Sequence, residues 1–335
     1  MADSSPIVVT GAAGFIGFHV SVALLAEGRR VVGLDSLNDY YPRLLKEHRL
    51  AQLQAQPGFE FVQAELADAA AVEAVFASAR PALVCHLAAQ AGVRHSLRHP
   101  RVYTASNIEG TLNILEGCRH FGVRRLVYAS SSSVYGGNTK LPFAEDDRCD
   151  TPVSLYAATK RANELMAHTY THLFGFQTIG LRFFTVYGRW GRPDMALWEF
   201  TERILADEPI KVFNHGDMRR DFTHISDIAA GVRAALLADG LADCEVFNLG
   251  NHRSEQLVDM IGAIEQACGR QAHKILLPMQ PGDVPATYAD VSKAAAKLGF
   301  EPRTPIAVGI PDFVAWYRSQ PEIAAAARAW RSQQS

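Results

Sequence analysis

The amino-acid sequence predicts an α/β fold, with a doubly wound parallel sheet and a smaller C-terminal α/β portion. Three observations predict it. Short β-branched runs alternate with longer helical patterns through the first half, a glycine-rich turn joins the first strand to the first helix, and the alternation stops after Phe184.

The expected strands are Ile7–Thr10, Val31–Leu34, Phe59–Val62, Ala82–Leu87, Arg125–Ser130 and Thr178–Phe184. Between them, helical patterns cover Phe15–Glu27, Ala69–Ala79, Asn107–His120 and Ser154–Leu173. Strand–helix–strand alternation implies right-handed crossovers, hence parallel strands with helices on both faces. After Phe184, Gly188, Gly191 and Pro193 crowd a loop, and Pro278, Pro281, Gly282 and Pro285 punctuate shorter segments. The expected division is 1–184 for the first domain and 185–335 for the second, with a strand near Glu245–Leu249 returning to the main sheet. No internal repeat is found.

Composition narrows the function. Of 335 residues, 48% are apolar, 20% charged and 9% aromatic, enough apolar surface for a packed core. Basic residues number 33 and acidic residues 35, a net charge of −2 that argues against a broad nucleic-acid-binding field. The five cysteines are odd in number and show no CxxC or zinc-ligand spacing, which points to a reducing cytoplasm. No signal peptide is expected, and no apolar run approaches the ~20 residues of a membrane span. The twelve histidines form no HExxH arrangement, and no metal is expected.

The glycine turn reads Gly11-Ala12-Ala13-Gly14-Phe15-Ile16-Gly17, a GxxGxxG spacing between strand and helix. Glycines there permit a tight turn, close approach of a pyrophosphate to the backbone, and close helix–strand packing, so the first domain is read as Rossmann-like. Asp35 ends the second strand, 18 residues beyond Gly17. A carboxylate there accepts hydrogen bonds from both hydroxyls of an adenosine ribose and repels a 2′-phosphate, favouring NAD over NADP. Tyr156 and Lys160 stand four apart on a predicted helix, so phenol and ammonium share a face. A nearby ammonium lowers a phenol's pKa and makes it a usable base. A lone YxxxK is common by chance, but the hydroxyl run Ser130–Ser133 ends the fifth strand upstream on the same side.

These residues, with His86-Leu87-Ala88-Ala89, resemble the extended branch of the short-chain dehydrogenase/reductase superfamily, from residue 7 to about 317. Within that branch the sequence is most similar to UDP-glucuronate 4-epimerases. The stretches that carry this likeness are Ala88–Arg94, Phe184–Gly188, Arg192-Pro193-Asp194-Met195, Arg219–Phe222 and Gln280–Pro285. The resemblance implies an NAD-dependent enzyme that oxidises a UDP-sugar at C4, lets the keto sugar turn over, and reduces it from the other face.

Residue by residue, it makes Tyr156 the acid/base, Lys160 its partner at the nicotinamide ribose, and Ser131 the hydroxyl that holds the reacting oxygen. Gly11, Gly14, Phe15, Ile16, Gly17, Asp35, Leu87, Ala88, Ala89 and Asn107 would contact the cofactor, together with Tyr156 and Lys160. Arg94, Ser132, Thr185, Arg192, Arg220 and Asp283 would line the nucleotide-sugar site, with Trp190 helping to cover it and Trp198 in the core. Three positions depart from the family: Glu65 replaces an aspartate near the adenine, Thr185 an asparagine of many UDP-galactose epimerases, and Gln280 a phosphate-binding arginine. Relatives pair through the helices after strands four and five, which implies a homodimer.

Two enzyme alternatives share this beginning, a UDP-glucuronate decarboxylase and a nucleotide-sugar 4,6-dehydratase. Both carry an acidic residue before the Val-Tyr-Gly after the fifth strand, where this chain has Ser133. A catalytically silent NAD-binding scaffold is a third reading, against which the intact Ser131, Tyr156 and Lys160 argue.

Overall fold

The computed structural model describes residues 5–280 and 284–333. Its first half alternates as the sequence predicts. Strand β1 (Ile7–Thr10) leads into helix α1 (Phe15–Ala26), followed by β2 (Val31–Asp35), α2 (Arg43–Gln54), β3 (Phe59–Gln63), α3 (Ala69–Ala79) and β4 (Leu83–His86). Short helices α4 (Val93–Arg98) and α5 (Pro100–Tyr103) continue through a wide π turn, Thr104–Glu109, into α6 (Gly110–Phe121). Then come β5 (Arg125–Ser131), α7 (Leu155–Phe174), β6 (Gln177–Phe183) and the short β7 (Thr185–Tyr187).

The second half holds α8 (Ala196–Leu205), β8 (Ile210–Val212), β9 (Arg219–Arg220), β10 (Phe222–His224), α9 (Ile225–Leu237) and β11 (Cys244–Leu249). It closes with β12 (Glu255–Gln256), α10 (Leu257–Cys268), β13 (Lys274–Leu276), α11 (Ser292–Leu298), α12 (Ile306–Arg318) and α13 (Pro321–Ser332).

Seven strands form one sheet in the order β11-β6-β5-β4-β1-β2-β3. Every pairing within it is parallel. The return strand expected near 245–249 is β11, hydrogen-bonded to β6 at the sheet edge. Side chains in β1 alternate between faces: Ile7 and Val9 join the core under α1 and α9, and Val8 joins the core under α3 and α6. A parallel sheet covered on both faces needs such two-sided apolar strands. A third core, around Trp198, Ile261 and Phe313, packs α8, α10 and α12 together and also takes Tyr41 and Leu45.

Strand order reverses between β1 and β4. Ligands of doubly wound sheets bind where strand order reverses, beyond the carboxyl ends of the strands. The glycine turn after β1 and residues 87–90 after β4 meet there.

The helix α2 has no counterpart in the sequence reading. Its inward face is Leu45, Lys46, Arg49, Leu50 and Leu53, so two cations interrupt the apolar stripe. Asp283, expected in the substrate site, lies outside the described residues.

Candidate active site

A cavity of about 870 Å³ runs along the carboxyl edge of the sheet, from Asp35 to Arg220. Gly11, Gly14, Phe15, Ile16, Gly17, Asp35, Leu87, Ala88 and Ala89 line one end. Around the middle and far end stand Ser131, Ser132, Tyr156, Lys160, Thr185, Arg192, Arg94 and Arg220.

The glycine turn is a cradle that side chains would fill. Gly11 has φ +70°, and a Cβ there would lie 2.8 Å from the Ala88 nitrogen. At Gly14 and Gly17 it would lie 2.9 and 2.0 Å from the Gly11 carbonyl oxygen. Asp35 sits beneath the turn, where Oδ2 accepts from the Ala13 N–H at 3.1 Å and Oδ1 from the Leu37 N–H at 2.9 Å. Each oxygen keeps a lone pair, enough for two ribose hydroxyls. This cradle, with an acidic strand end beside it, fits a dinucleotide.

Asn107 does not line the cavity. It is buried, with its amide oxygen accepting from the Gln90 N–H at 2.8 Å and its Nδ2 donating to the Gln90 carbonyl and Thr159 hydroxyl, both at 3.1 Å. Its amide braces the wall segment 87–90, and its neighbour Ser106 reaches the cavity instead. Glu65 is exposed beyond the lining residues Ala64 and Leu66.

Ser154 caps α7, its hydroxyl accepting from the Ala157 N–H at 3.1 Å, and this starts the helix so that Tyr156 and Lys160 face β5. The phenol of Tyr156 and the Ser131 hydroxyl line the cavity together. Burial raises the Tyr156 pKa, while the Ser131 hydroxyl and the Arg192 guanidinium oppose the rise. Lys160 Nζ donates to the Ala129 carbonyl at 2.9 Å, and burial lowers its own pKa to about 8 despite nearby Glu164. Ser133 donates to the Ser131 hydroxyl at 2.9 Å. Ser130 instead donates to Glu164 at 2.6 Å, within a buried pair where Arg182 holds both carboxylate oxygens at 2.9 and 3.0 Å.

Across the cavity, Arg192 forms a two-pronged pair with Asp194 at 2.9 and 3.0 Å, and Tyr40 donates to the same carboxylate at 3.2 Å. Burial opposes ionisation of Asp194, but the guanidinium holds its carboxyl below the usual range. Asp194 and Tyr40 line the cavity and were not anticipated; Asp194 stood within a stretch that carried the resemblance, so its signal was present. Arg220 Nη1 donates to the Arg219 and Pro285 carbonyls at 2.9 and 3.2 Å, and Arg94 lies over the Phe213 ring at 5.4 Å. Gln280 reaches the cavity with its buried Oε1 unpartnered.

Trp190, expected to cover the substrate, packs away from the cavity against Phe18 and Trp316, with centroids 5.8 and 5.0 Å apart. Trp198 is a core residue, as expected. Two histidine pairs, His95–His99 and His168–His172, stand four residues apart. Among the described residues, no group of three His, Cys, Asp or Glu side chains gathers to hold a metal.

A glycine cradle at the switch point, with a serine–tyrosine pair and a buried lysine before it, defines a nucleotide-cofactor enzyme of the dehydrogenase/reductase class. The sequence profile of the NAD dependent epimerase/dehydratase family matches residues 7–250, and the chain belongs to that family. It is 44% identical over 327 residues to a probable UDP-glucuronate 4-epimerase of Rhizobium meliloti, covering 92% of this chain and 96% of the relative. It is also 46% identical over 329 residues to UDP-glucuronate 4-epimerase 4 of Arabidopsis thaliana, covering 93% of this chain and 75% of that one. Among solved structures it is similar to the UDP-glucuronic acid 4-epimerase of Bacillus cereus, in complex with UDP-glucuronic acid and NAD. That match has a TM-score of 0.88 at 34% identity, covering 94% of this chain and 99% of the other.

Proposed function

We propose that this protein is a UDP-glucuronate 4-epimerase, interconverting UDP-glucuronate and UDP-galacturonate by transient oxidation at C4 with NAD. The observation that carries the reading is one cavity lined by the glycine cradle, by Ser131 and Tyr156, and by the polar side chains of Ser132, Thr185 and Arg192. The family assignment and the relatives named above support the cofactor and the substrate.

Gly11, Gly14 and Gly17 let the backbone close on the pyrophosphate, Asp35 takes the adenosine ribose, and Lys160 the nicotinamide ribose. NAD, when bound, supplies a reversible acceptor for the hydride at C4. Ser131 orients the sugar 4-hydroxyl, and Tyr156 takes its proton as the carbonyl forms, then returns it as the hydroxyl reforms. Arg94 and Arg220, on the nucleotide side, answer the diphosphate charge. The oxidised sugar turns over within the cavity.

Oxidation at C4 makes a β-keto acid, which loses carbon dioxide when the C5–C6 bond lies along the carbonyl π system. Ser132 and Thr185 are neutral donors that can hold the carboxylate near the ring plane, with Arg192 as the charged partner. No carboxylate stands among residues 130–133, where the related decarboxylases carry one.

By this reading, residues 1–184 with the returning strand β11 serve NAD, and residues 185–335 serve mainly the nucleotide sugar. Arrangement as a homodimer through α6 and α7 belongs to the same proposal, as does a cytoplasmic setting, supported by five unspaced cysteines. No described helix is long and apolar enough to cross a membrane.

The test is NMR of the products formed from UDP-glucuronate. UDP-galacturonate with at most traces of UDP-pentose is expected; carbon dioxide released in step with UDP-glucuronate consumed would replace this reading with the decarboxylase.

A further inference from the structure

The guanidinium of Arg49, on α2, is fully buried, and all its hydrogen bonds go to uncharged oxygens. Nη1 donates to the Ala13 carbonyl at 2.9 Å and the Tyr41 phenol at 2.8 Å. Nη2 donates to the carbonyls of Trp190 at 2.5 Å and Gly191 at 3.3 Å, and Nε has no partner. Such a site is costly for a charge: the buried Arg182 of the same protein is matched by Glu164, whereas among the described residues Arg49 meets no carboxylate and hydrogen-bonds to uncharged oxygens.

Its partners are the two loops the chemistry needs. Ala13 is the middle of the glycine turn, and its N–H is held from the other side by Asp35. Trp190 and Gly191 immediately precede Arg192. The same loop is held a second time by α1, where His19 Nε2 lies 3.0 Å from the Arg189 carbonyl. A planar guanidinium with donors in fixed directions transmits position between its acceptors in a way a flexible ammonium does not.

We propose that Arg49 is a positioning residue that couples the cofactor turn to the loop carrying Arg192, so that each ligand tightens the hold on the other. Ordering of Ala13 by a bound cofactor orients the fork, and the fork orders Trp190 and Gly191 beside the sugar site. Coupling of this kind is reciprocal, so a ligand in the sugar site slows loss of the cofactor. The inference rests on the cavity binding a UDP-sugar and is independent of which sugar.

The experiment starts from the NAD-loaded enzyme and measures the rate of NAD release with and without saturating UDP. In the wild type, UDP is expected to slow release by about fivefold or more, in the usual range of coupling between sites. In Arg49→Lys, which keeps the charge and loses the fork, UDP should change the rate less than twofold. Tyr41→Phe removes one partner but leaves all three carbonyl ties, and should keep the wild-type ratio. Full slowing in Arg49→Lys overturns the proposal, as does wild-type release that UDP leaves unchanged. If calorimetry shows no UDP binding to the wild type, the functional reading and this inference fail together; binding without slowing sinks the inference alone. Should Arg49→Lys not fold, hydrogen exchange of the wild-type amides 189–192 carries the test. Protection by NAD is expected, and equal exchange with and without NAD overturns the coupling.

Discussion

The Tyr156 phenol lines the cavity beside Ser131, and burial raises its pKa, so it is protonated at neutral pH; by the proposed reading it acts as a base only once substrate and cofactor are beside it. Tyr156→Phe keeps the ring, which stands edge-on to Tyr103 with centroids 6.1 Å apart, and removes the proton acceptor. Turnover should fall by ~10²–10⁴-fold while NAD stays bound, since no glycine-turn contact changes. Steady-state rates with cofactor occupancy by absorbance check both halves. The neighbouring His86 makes a prediction about pH. It is buried between the Thr10 hydroxyl at 2.8 Å and the Thr111 hydroxyl at 3.2 Å. Burial, with the charge on Lys160 adding to it, lowers its pKa from 6.5 to about 3. The folded state therefore resists a proton that the unfolded chain accepts below pH 6.5. This stabilising contribution is complete above pH 6.5 and is lost as pH falls toward 3. By pH 5 the loss amounts to about 2 kcal/mol. Urea unfolding of the wild type and His86→Gln at pH 7 and pH 5 measures it: the variant should lose about 2 kcal/mol less between the two, and parallel losses would show that His86 does not titrate in this way.

At the scale of elements, the glycine turn gives the sharpest expectation. A Cβ at Gly17 would meet the Gly11 carbonyl oxygen at 2.0 Å, backbone against backbone, so no side chain can move aside. Gly17→Ala must push α1 away from the turn, and NAD retention should drop by at least tenfold with a stability loss of about 1–3 kcal/mol; a variant that purifies with full NAD would contradict it. Elements of this kind were legible because their cause is local. Gly11, Gly14 and Gly17 bracket a strand end and a helix start, and Ser154 announces the start of α7. The helix α2 was not legible, and its two inward cations say why. Lys46 donates to the Asn38 carbonyl and side chain, both at 2.6 Å, and Arg49 spans two loops. A helix whose buried face is used to hold loops loses the apolar period by which helices are recognised. The bracing contacts of Asn107 and Lys160 were not legible for a related reason. The resemblance placed Asn107 and the i, i+4 spacing placed Lys160 near the site, but the partners of each, Gln90 and Thr159 for Asn107 and Ala129 for Lys160, come from segments that only folding brings beside it.

At the scale of the whole molecule, the sheet was legible almost to the residue because its central strands β1, β2, β4 and β5 are buried on both faces and read as nearly continuous apolar runs. The second half was less so: apart from β11, its strands are two or three residues long and pair in twos, leaving little periodicity to read. What the isolated chain leaves open to solvent points to its association. Helices α6 and α7 pack side by side, joined by the Tyr170 hydroxyl donating to Glu116 at 2.5 Å. Their outer positions expose large apolar side chains, with Leu112 at 40%, Leu165 at 54% and Leu173 at 61%. Single exposed leucines are ordinary, but three on adjacent helices add up to a surface that a second copy can cover. A two-fold axis between the helix pairs would place α6 and α7 of one protomer against the same elements of its partner, an arrangement in which each contact is made twice. Sedimentation at micromolar concentration should give a dimer, from an interface of the ~1,200–2,000 Å² usual for stable pairs. The double variant Leu165→Glu/Leu173→Glu should sediment as a monomer, because like charges brought together across the axis repel and each buried carboxylate loses its water. A wild type that stays monomeric, or a variant that stays dimeric, would move the interface off these helices.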